Sequence, residues 1–323
     1  MDKYCEDMLE QDGGFCKYTN RKVPRALCCT CRGNYKPFIL EDLEFDRWQY
    51  RPALTEDQKN NKDLVSVLMP CRDENPDHIR KTIESLRENA VGPIEIIVSH
   101  DGKIDGGVGG DFTSYYGDVQ GQRRLLNDSI KYARGKYLFR IDGHCLMSPG
   151  WDARMKSSCK ENTLVIVTFD SLDDDFKPKG KDNTFAILRP SMRQKFIRDW
   201  KPLKHRLIEE EAMTISGTAF MVLRDGFSGF DEDLGAYGGI GTELALRYWL
   251  TGGRVIIRTD TVCYHLFRRN TPYEVPREEI ETVYAKIKEK WIHNTGPDQT
   301  RPFQWYLYKF STYTRWSNAE LRV

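Results

Sequence analysis

Two residue types that bind divalent metal ions stand one position apart near the middle of the sequence. Asp142 and His144 follow a segment at residues 137–141, apolar except for Arg140, that predicts a strand, so both side chains can reach one cation past its end. A carboxylate paired with an imidazole suits Mn²⁺ or a similar divalent ion better than an ion that prefers oxygen ligands alone. Such an ion can hold a diphosphate and neutralise charge on a leaving group. The pair alone is a weak signal, because Asp-x-His also arises by chance or in a capped turn.

The segments around this pair predict an α/β scaffold. Apolar runs predict strands at residues 65–69, 94–98, 137–141, 164–169, 215–223 and 255–257. Helical patterns predict helices at residues 76–89, 122–133, 243–250 and 278–291. This alternation predicts a mixed, mainly parallel central sheet, whose ligands gather at the carboxyl ends of the strands. Loops are predicted at the glycine-rich residues 101–117 and at the charged residues 170–212.

The composition sets broad limits. The chain has 323 residues, 39% of them hydrophobic and 30% charged, as in a globular protein with a sizeable core. A net charge of +1 does not by itself indicate a polyanionic partner. No run approaches the roughly 18 apolar residues that a membrane span needs, and the first thirty residues lack the apolar run of a signal peptide. We therefore expect a cytoplasmic protein with no membrane partner.

Further motifs occur in order along residues 65–269. They are Val65-Ser-Val-Leu-Met-Pro70, the stretch from Gly135 to Trp151 that contains the metal-binding pair, Gly238-Gly239 with Arg247, Trp249 and Gly252-Gly253, and Tyr264-His265-Leu-Phe-Arg-Arg269. Together they resemble the GT-A-fold glycosyltransferases, most closely the catalytic domain of the polypeptide N-acetylgalactosaminyltransferases. The resemblance implies a GT-A (Rossmann-like) nucleotide-sugar-binding domain at residues 64–270, with a UDP-sugar as donor.

The resemblance also implies a complete metal site. Asp142, His144 and His265 would bind Mn²⁺ or another divalent cation, with Asp142 also on the donor side of the site. The alternative for His265 is a histidine whose ring nitrogens are satisfied within the core.

Three other residues are implied to bind the donor. Asp101 would contact the uridine, and Arg124 would lie near the nucleotide or its phosphates. Gly217 would let the backbone approach the donor sugar, because glycine has no Cβ. The alternatives are a solvated helix residue for Arg124 and a strand bulge for Gly217.

The sequence departs from the family pattern at the position of a common catalytic base. Ile240 follows Gly238-Gly239 where relatives place an acid, and isoleucine cannot accept a proton. The remaining candidate bases are Asp231, Glu232, Asp233 and Glu243, with Glu243 and Asp233 preferred, and each could equally be a surface or capping residue. A retaining transfer needs no such base if the leaving phosphate deprotonates the acceptor, so we expect retention of configuration.

A cysteine-rich segment occupies residues 1–60. Four of its cysteines could hold a structural Zn²⁺: Cys5, Cys16, Cys28 and Cys31. The closing Cys-x-x-Cys is a good zinc knuckle, and Cys29 could replace Cys28. The alternative is free thiols in a loosely packed arm.

The acceptor is left open between a nucleic acid and a polypeptide. The N-terminal segment contains several basic residues and aromatic side chains, and residues 271–323 form a charged helix followed by an aromatic and basic tail. Such surfaces can stack bases, so a hydroxymethylated base in viral DNA is one candidate acceptor. The other is a Ser or Thr hydroxyl of a polypeptide. Alternatively, the aromatic residues pack the tail onto the domain.

Two other functions agree less well with the sequence. A sugar-1-phosphate nucleotidyltransferase should carry a glycine-rich loop after the first strand, which residues 70–75 lack. A degenerate transferase kept as a carbohydrate or nucleic-acid binding module is favoured by Ile240. The intact set of Asp142, His144 and His265 argues against it, because a binding module has little need of a metal site. The sequence therefore favours a metal-dependent glycosyltransferase.

Overall fold

The computed structural model describes ten stretches of the chain. They are residues 15–16, 21–22, 47–50, 63–102, 108–116, 118–180, 184–190, 196–202, 207–268 and 272–312. Cys5, Cys28 and Cys31 lie outside these stretches, and only the backbone of Cys16 lies inside them. The zinc site therefore stays a prediction.

The described residues alternate between strands and helices. The strands are β1 (Phe15–Cys16), β2 (Arg21–Lys22), β3 (Arg47–Tyr50), β4 (Val65–Cys71), β5 (Ile94–Asp101), β6 (Phe112–Tyr116), β7 (Tyr137–Arg140), β8 (Cys145–Met147), β9 (Thr163–Ser171), β10 (Thr184–Pro190), β11 (Phe196–Pro202), β12 (Glu209–Glu211), β13 (Phe220–Leu223) and β14 (Arg254–His265). The helices are α1 (Pro76–Asn89), α2 (Gln122–Tyr132), α3 (Trp151–Ser158), α4 (Ile240–Leu250), α5 (Arg277–Ile292) and α6 (Phe303–Lys309), with a 3₁₀ turn at Glu232–Leu234.

Strands β3 to β14 form one mixed sheet. Its main path runs β11-β10-β9-β13-β7-β4-β5-β6-β3, while β14 lies parallel to β9 and also pairs with β8 and β12. The central strands β7, β4, β5 and β6 are all parallel to one another. Their carboxyl ends therefore meet at one edge of the sheet, where α/β proteins place their ligands. The predicted α/β fold with a parallel centre is confirmed.

The sheet is buried between two layers of helices. Along β4, Val65 and Val67 pack on one face with Ile79 of α1 and Trp151 of α3. Leu68 packs on the other face, in a cluster that includes residues of α2, α4, α5 and α6. Burial on both faces explains why the strand is a continuous apolar run.

Helix α1 begins where the sequence predicts. Asn75 caps it by accepting a hydrogen bond from the backbone N–H of Asp77 at 2.8 Å, and Pro76 occupies the first turn. The helix ends at Asn89, as the apolar spacing indicates.

Three local predictions are wrong. Strand β6 (Phe112–Tyr116) lies inside the predicted loop at residues 101–117. It begins after Gly110, and all five of its side chains are buried. The charged stretch at residues 170–212 contains the antiparallel hairpin of β10 and β11 rather than loops alone. The strand predicted at residues 215–223 begins only at Phe220, because Gly217 and Ala219 have left-handed φ angles of 92° and 53°.

The described part of the C-terminal tail packs onto the domain. Tyr306 and Phe310 are buried in the same cluster as α4, and the Tyr306 hydroxyl donates to the Met213 carbonyl at 2.9 Å. For these residues the packing alternative is correct, and among the described aromatic residues of α6 and Phe310 only Tyr308 is largely exposed, at 83%. In the described part of the chain, no helix has the length and apolar character to cross a bilayer.

Two tyrosines of α6 test whether this helix belongs to the core. Tyr306→Ala removes a fully buried ring and should lower the free energy of unfolding by about 3–5 kcal/mol. Tyr308→Ala, two residues away and exposed, should change it by less than about 0.5 kcal/mol. Urea unfolding followed by circular dichroism measures both. Equal effects of the two substitutions would contradict the docking of α6.

Candidate functional site

Three potential metal ligands converge at the carboxyl edge of the sheet. Asp142 comes two residues after the end of β7, and His144 directly precedes β8. His265 ends β14, which pairs with β8 so that His265 lies opposite Cys145. The Leu266 N–H also donates to the His144 carbonyl at 3.1 Å. The sheet therefore brings together three residues that are far apart in the sequence.

The side chains of this triad point to a common centre. One ligand atom from each of Asp142, His144 and His265 lies within 4.8 Å of the others. His265 Nε2 is 3.4 Å from Asp142 Oδ2, and the two imidazole rings are 4.8 Å apart between centroids. One carboxylate and two imidazoles suit Mn²⁺ and related transition metals. The residues present fit the predicted cation.

Glu74 orients one of the two histidines. The Nδ1 atom of His144 lies 2.8 Å from a Glu74 carboxylate oxygen, which leaves Nε2 available to a metal. Glu74 is in turn ion-paired with Arg268. The Nδ1 atom of His265 is buried and has no hydrogen-bond partner among the described residues.

The charge states of the triad also suit a metal. Burial raises the pKa of Asp142, but Arg140 and both histidines favour the carboxylate, so its pKa lies well below the ordinary value. Burial lowers the pKa of His265, although Asp142 opposes this effect. An ionised carboxylate and a neutral imidazole are the forms that bind a cation.

A cavity of about 470 Å³ opens beside the triad. Gly217, predicted to approach the donor sugar, lines it with a left-handed φ of 92° that disfavours a side chain. Asp101, predicted to contact the uridine, lines it as well, and so does the buried Ile240. A larger cavity of about 770 Å³ elsewhere on the domain contains none of the three metal ligands.

Asp101 is held firmly in the cavity wall. Its carboxylate accepts hydrogen bonds from the backbone N–H groups of Gln120 and Gly121 at 2.6 and 3.1 Å, and from the Tyr237 hydroxyl. The guanidinium of Arg72 lies over the rings of Tyr237 and Tyr273, 5.0 and 4.5 Å from their centroids. This arrangement fixes one wall of the cavity, and sequence reasoning missed both tyrosines.

One residue predicted to bind the donor lies away from the cavity. Arg124 is exposed on α2, and its neighbour Arg123 is buried instead, donating to the carbonyls of Gly235 and Gly238 at 2.7 and 2.6 Å. Because the helix turns by about 100° per residue, adjacent arginines face different surroundings. His100 packs against Tyr115 and lies 3.1 Å from a backbone carbonyl through Nε2, so it does not reach the cavity.

The two candidate bases are also placed elsewhere. Glu243 is buried and paired with Arg247 through two contacts of 3.0 and 2.6 Å. Asp233 is exposed in the 3₁₀ turn. Neither lines the cavity, because α4 presents Ile240 and Gly241 there and turns Glu243 away from it. The structure therefore gives no support to base catalysis by Glu243 or Asp233.

Comparison with known sequences indicates the kind of domain that holds this site. Residues 111–230 match the family Glycosyl transferase family 2. Polypeptide N-acetylgalactosaminyltransferase 3 of Taeniopygia guttata is 27% identical over 192 residues, 52% of this chain and 30% of the relative. Putative polypeptide N-acetylgalactosaminyltransferase 13 of Drosophila melanogaster is 25% identical over 263 residues, 72% of this chain and 46% of the relative. The chain spans less than half the length of these relatives.

Comparison with solved structures supports the same fold. The crystal structure of GalNAc-T7 with UDP, GalNAc and Mn²⁺ superposes with a TM-score of 0.62 and 15% identity, over 78% of this chain and 57% of that chain. At this identity the likeness shows the fold alone. Together with the family match and the relatives, it shows a domain of the GT-A fold that is similar to glycosyltransferases.

The contact between Glu74 and His144 generates a test of the metal site. Glu74→Gln keeps the shape but removes the carboxylate, so Mn²⁺ affinity should fall by about 10- to 100-fold. Glu84→Gln, on the exposed face of α1, is the matched control and should bind Mn²⁺ unchanged. Titration of Mn²⁺ followed by electron paramagnetic resonance measures both. Unaltered binding by Glu74→Gln would show that Glu74 does not support the metal ligand.

Proposed function

We propose that this chain is a metal-dependent glycosyltransferase that moves a sugar from a UDP-sugar to an acceptor hydroxyl. The observation that carries the proposal is the convergence of Asp142, His144 and His265 beside a cavity in a GT-A fold. GalNAc-T7, which shares this fold, was crystallised with UDP, GalNAc and Mn²⁺. A divalent cation and a UDP-sugar are therefore the cofactor and donor to test first.

Each part of the cavity has a role in this reaction. Asp142, His144 and His265 hold the cation, which when bound neutralises charge on the leaving diphosphate. Gly217 allows close approach of the donor sugar, and Asp101 lies in the wall assigned to the uridine. Arg268, which lines the cavity next to Glu74, adds a positive charge on the same side.

We further propose that the transfer retains the configuration of the sugar. Glu74, Asp101 and Asp142 are the carboxylates among the described lining residues, and each is engaged by histidine, arginine or tyrosine side chains. Ile240 occupies the position from which relatives could supply a base. With no carboxylate free to take the acceptor's proton, deprotonation by the leaving phosphate is the route that this cavity favours.

The acceptor is proposed to be a hydroxyl of a polymer. The relatives are named for a polypeptide acceptor, so a Ser or Thr hydroxyl is the first candidate. A hydroxymethylated DNA base is the second, and it rests on the basic and aromatic side chains that occur within residues 1–60. The same assay distinguishes them.

The competing function is a degenerate transferase that binds its acceptor without turnover. Ile240 favours it, because the position can no longer contribute an acidic side chain. The triad argues against it, since Glu74 and Arg140 hold its members in an arrangement that binding alone does not require.

Nucleotide release tests the proposed activity. The purified chain with Mn²⁺ and a panel of UDP-hexoses and UDP-N-acetylhexosamines should release UDP, and EDTA should abolish release because the diphosphate loses its cation. Asp142→Asn and His265→Ala should lose at least about 100-fold of the rate. His293→Ala changes an exposed histidine directly after α5, is the control and should retain full activity. Ser/Thr peptides and hydroxymethylated DNA, added separately, should identify the acceptor by stimulation.

The outcomes separate the two functions. No release from any donor, together with intact acceptor binding, would support the degenerate binding module. Release that persists in EDTA and in His265→Ala would contradict the metal site but leave transfer possible.

The stereochemical proposal has its own test. From an α-linked UDP-sugar the product should carry an α linkage, because the cavity supplies no free base for direct displacement. Proton NMR of the product gives the anomeric configuration. A β-linked product would contradict retention and would require a base outside the described lining.

A further inference from the structure

Arg140 is a buried charge at the end of a central strand. It is the last residue of β7, it is 3% exposed, and its neighbours on the adjoining strands are Leu68 and Phe220. A charge in such apolar surroundings is costly unless it is paired. Among the described residues, Arg140 forms an ion pair with Asp142, with 2.6 Å between Nη2 and Oδ1. The partner of this buried charge is thus a proposed metal ligand.

The two carboxylate oxygens of Asp142 contact different partners. Oδ1 lies against Arg140, while Oδ2 lies 3.4 Å from His265 Nε2. A cation bound to the triad can therefore use Oδ2 without displacing Arg140. The guanidinium remains close to that cation, however, and repels it.

The charges that line the cavity are evenly balanced without a metal. Three arginines face three carboxylates among the described lining residues: Arg72, Arg140 and Arg268 against Glu74, Asp101 and Asp142. A dication that enters alone gives this partly enclosed site an excess of two positive charges. A nucleotide diphosphate that enters with it brings compensating negative charge and oxygen ligands. Charge balance in the cavity therefore favours binding of the cation together with the diphosphate over binding of the cation alone.

We propose that Arg140 is a positioning residue that makes tight metal binding at Asp142 conditional on the donor diphosphate. The inference rests on the proposed function and adds a coupling between its two ligands. Arg140 neutralises Asp142 when the site is empty of ligand and weakens its hold on a lone cation. The diphosphate strengthens cation binding by Asp142 again, because its negative charge offsets the positive charges of Arg140 and of the cation. By linkage, Mn²⁺ strengthens UDP binding by the same factor as UDP strengthens Mn²⁺ binding.

Direct binding measurements test the coupling without reference to turnover. Mn²⁺ is titrated into the full chain with and without UDP, and free Mn²⁺ is followed by electron paramagnetic resonance. UDP should raise the Mn²⁺ affinity of the unmodified chain by at least about tenfold, within the usual range of coupling between two ligands. Arg140→Met should bind Mn²⁺ alone about tenfold more tightly than the unmodified chain, and UDP should then add little.

The matched control is a second arginine in an equally short ion pair. Arg134 contacts the buried Glu95 at 2.6 Å and does not line the cavity. Arg134→Met removes a buried ion pair from the same domain and should leave both the Mn²⁺ affinity and the coupling unchanged. A shift equal to that of Arg140→Met would mean that the effect is a general consequence of lost stability, which would overturn the proposal.

The outcomes distinguish this inference from the proposed function. If the unmodified chain binds no Mn²⁺ even with UDP present, the proposed function and the role of Arg140 are both contradicted. If it binds Mn²⁺ with UDP but the coupling is below about threefold, the proposed function stands and the role of Arg140 is overturned. The role of Arg140 is also overturned if Arg140→Met binds Mn²⁺ alone no more tightly than the unmodified chain does. Should Arg140→Met not fold, Arg140→Gln, which removes the charge but keeps a hydrogen-bond donor toward Asp142, takes its place with the same expected and contradicting results.

Discussion

Strand β8 pairs with β14 over three residues, and the geometry of the site depends on this short antiparallel contact. Asp142 and His265 are 123 positions apart in the chain, yet the pairing of Cys145 with His265 puts them within hydrogen-bond reach. A register shift in β14 between Arg258 and Val262 precedes the segment that pairs with β8. Because His265 ends β14 and His144 directly precedes β8, the pairing of these two strands places both histidines.

The cavity is organised by paired charges rather than by isolated ones. Asp142 is balanced by Arg140, Glu74 by Arg268 and His144, and Asp101 by backbone N–H groups and Tyr237. Buried charges persist only when they are paired, so each pairing both stabilises the wall and limits its chemistry. The pKa values of Glu74 and Asp142 are lowered by their partners, so these two carboxylates are poor proton acceptors. The same pairings therefore bear on metal binding and on the stereochemical course of the reaction.

Sequence reasoning located the parallel strands and the triad, because apolar runs and motif order report directly on buried strands and their ends. It missed Glu74, Arg140 and Tyr237, whose roles come from contacts across strands and loops rather than from local spacing. It also predicted Arg124 at the donor site, whereas helical rotation leaves that side chain exposed and buries Arg123. Strand β6 was predicted to be part of a loop because the residues before it are rich in glycine, although its own five residues are buried. Side-chain direction and long-range pairing are the information that one sequence does not display.

Pulsed electron paramagnetic resonance of the chain loaded with Mn²⁺ and UDP tests the central claim most directly, because it identifies the atoms around the metal. The account predicts modulation from the nitrogens of two imidazoles, assigned to His144 and His265, together with coupling to phosphorus of the diphosphate. Loss of one nitrogen contribution in His265→Ala would complete the assignment. A spectrum with phosphorus coupling but no imidazole nitrogen would contradict the account, since the metal would then be carried by the nucleotide and not by the triad.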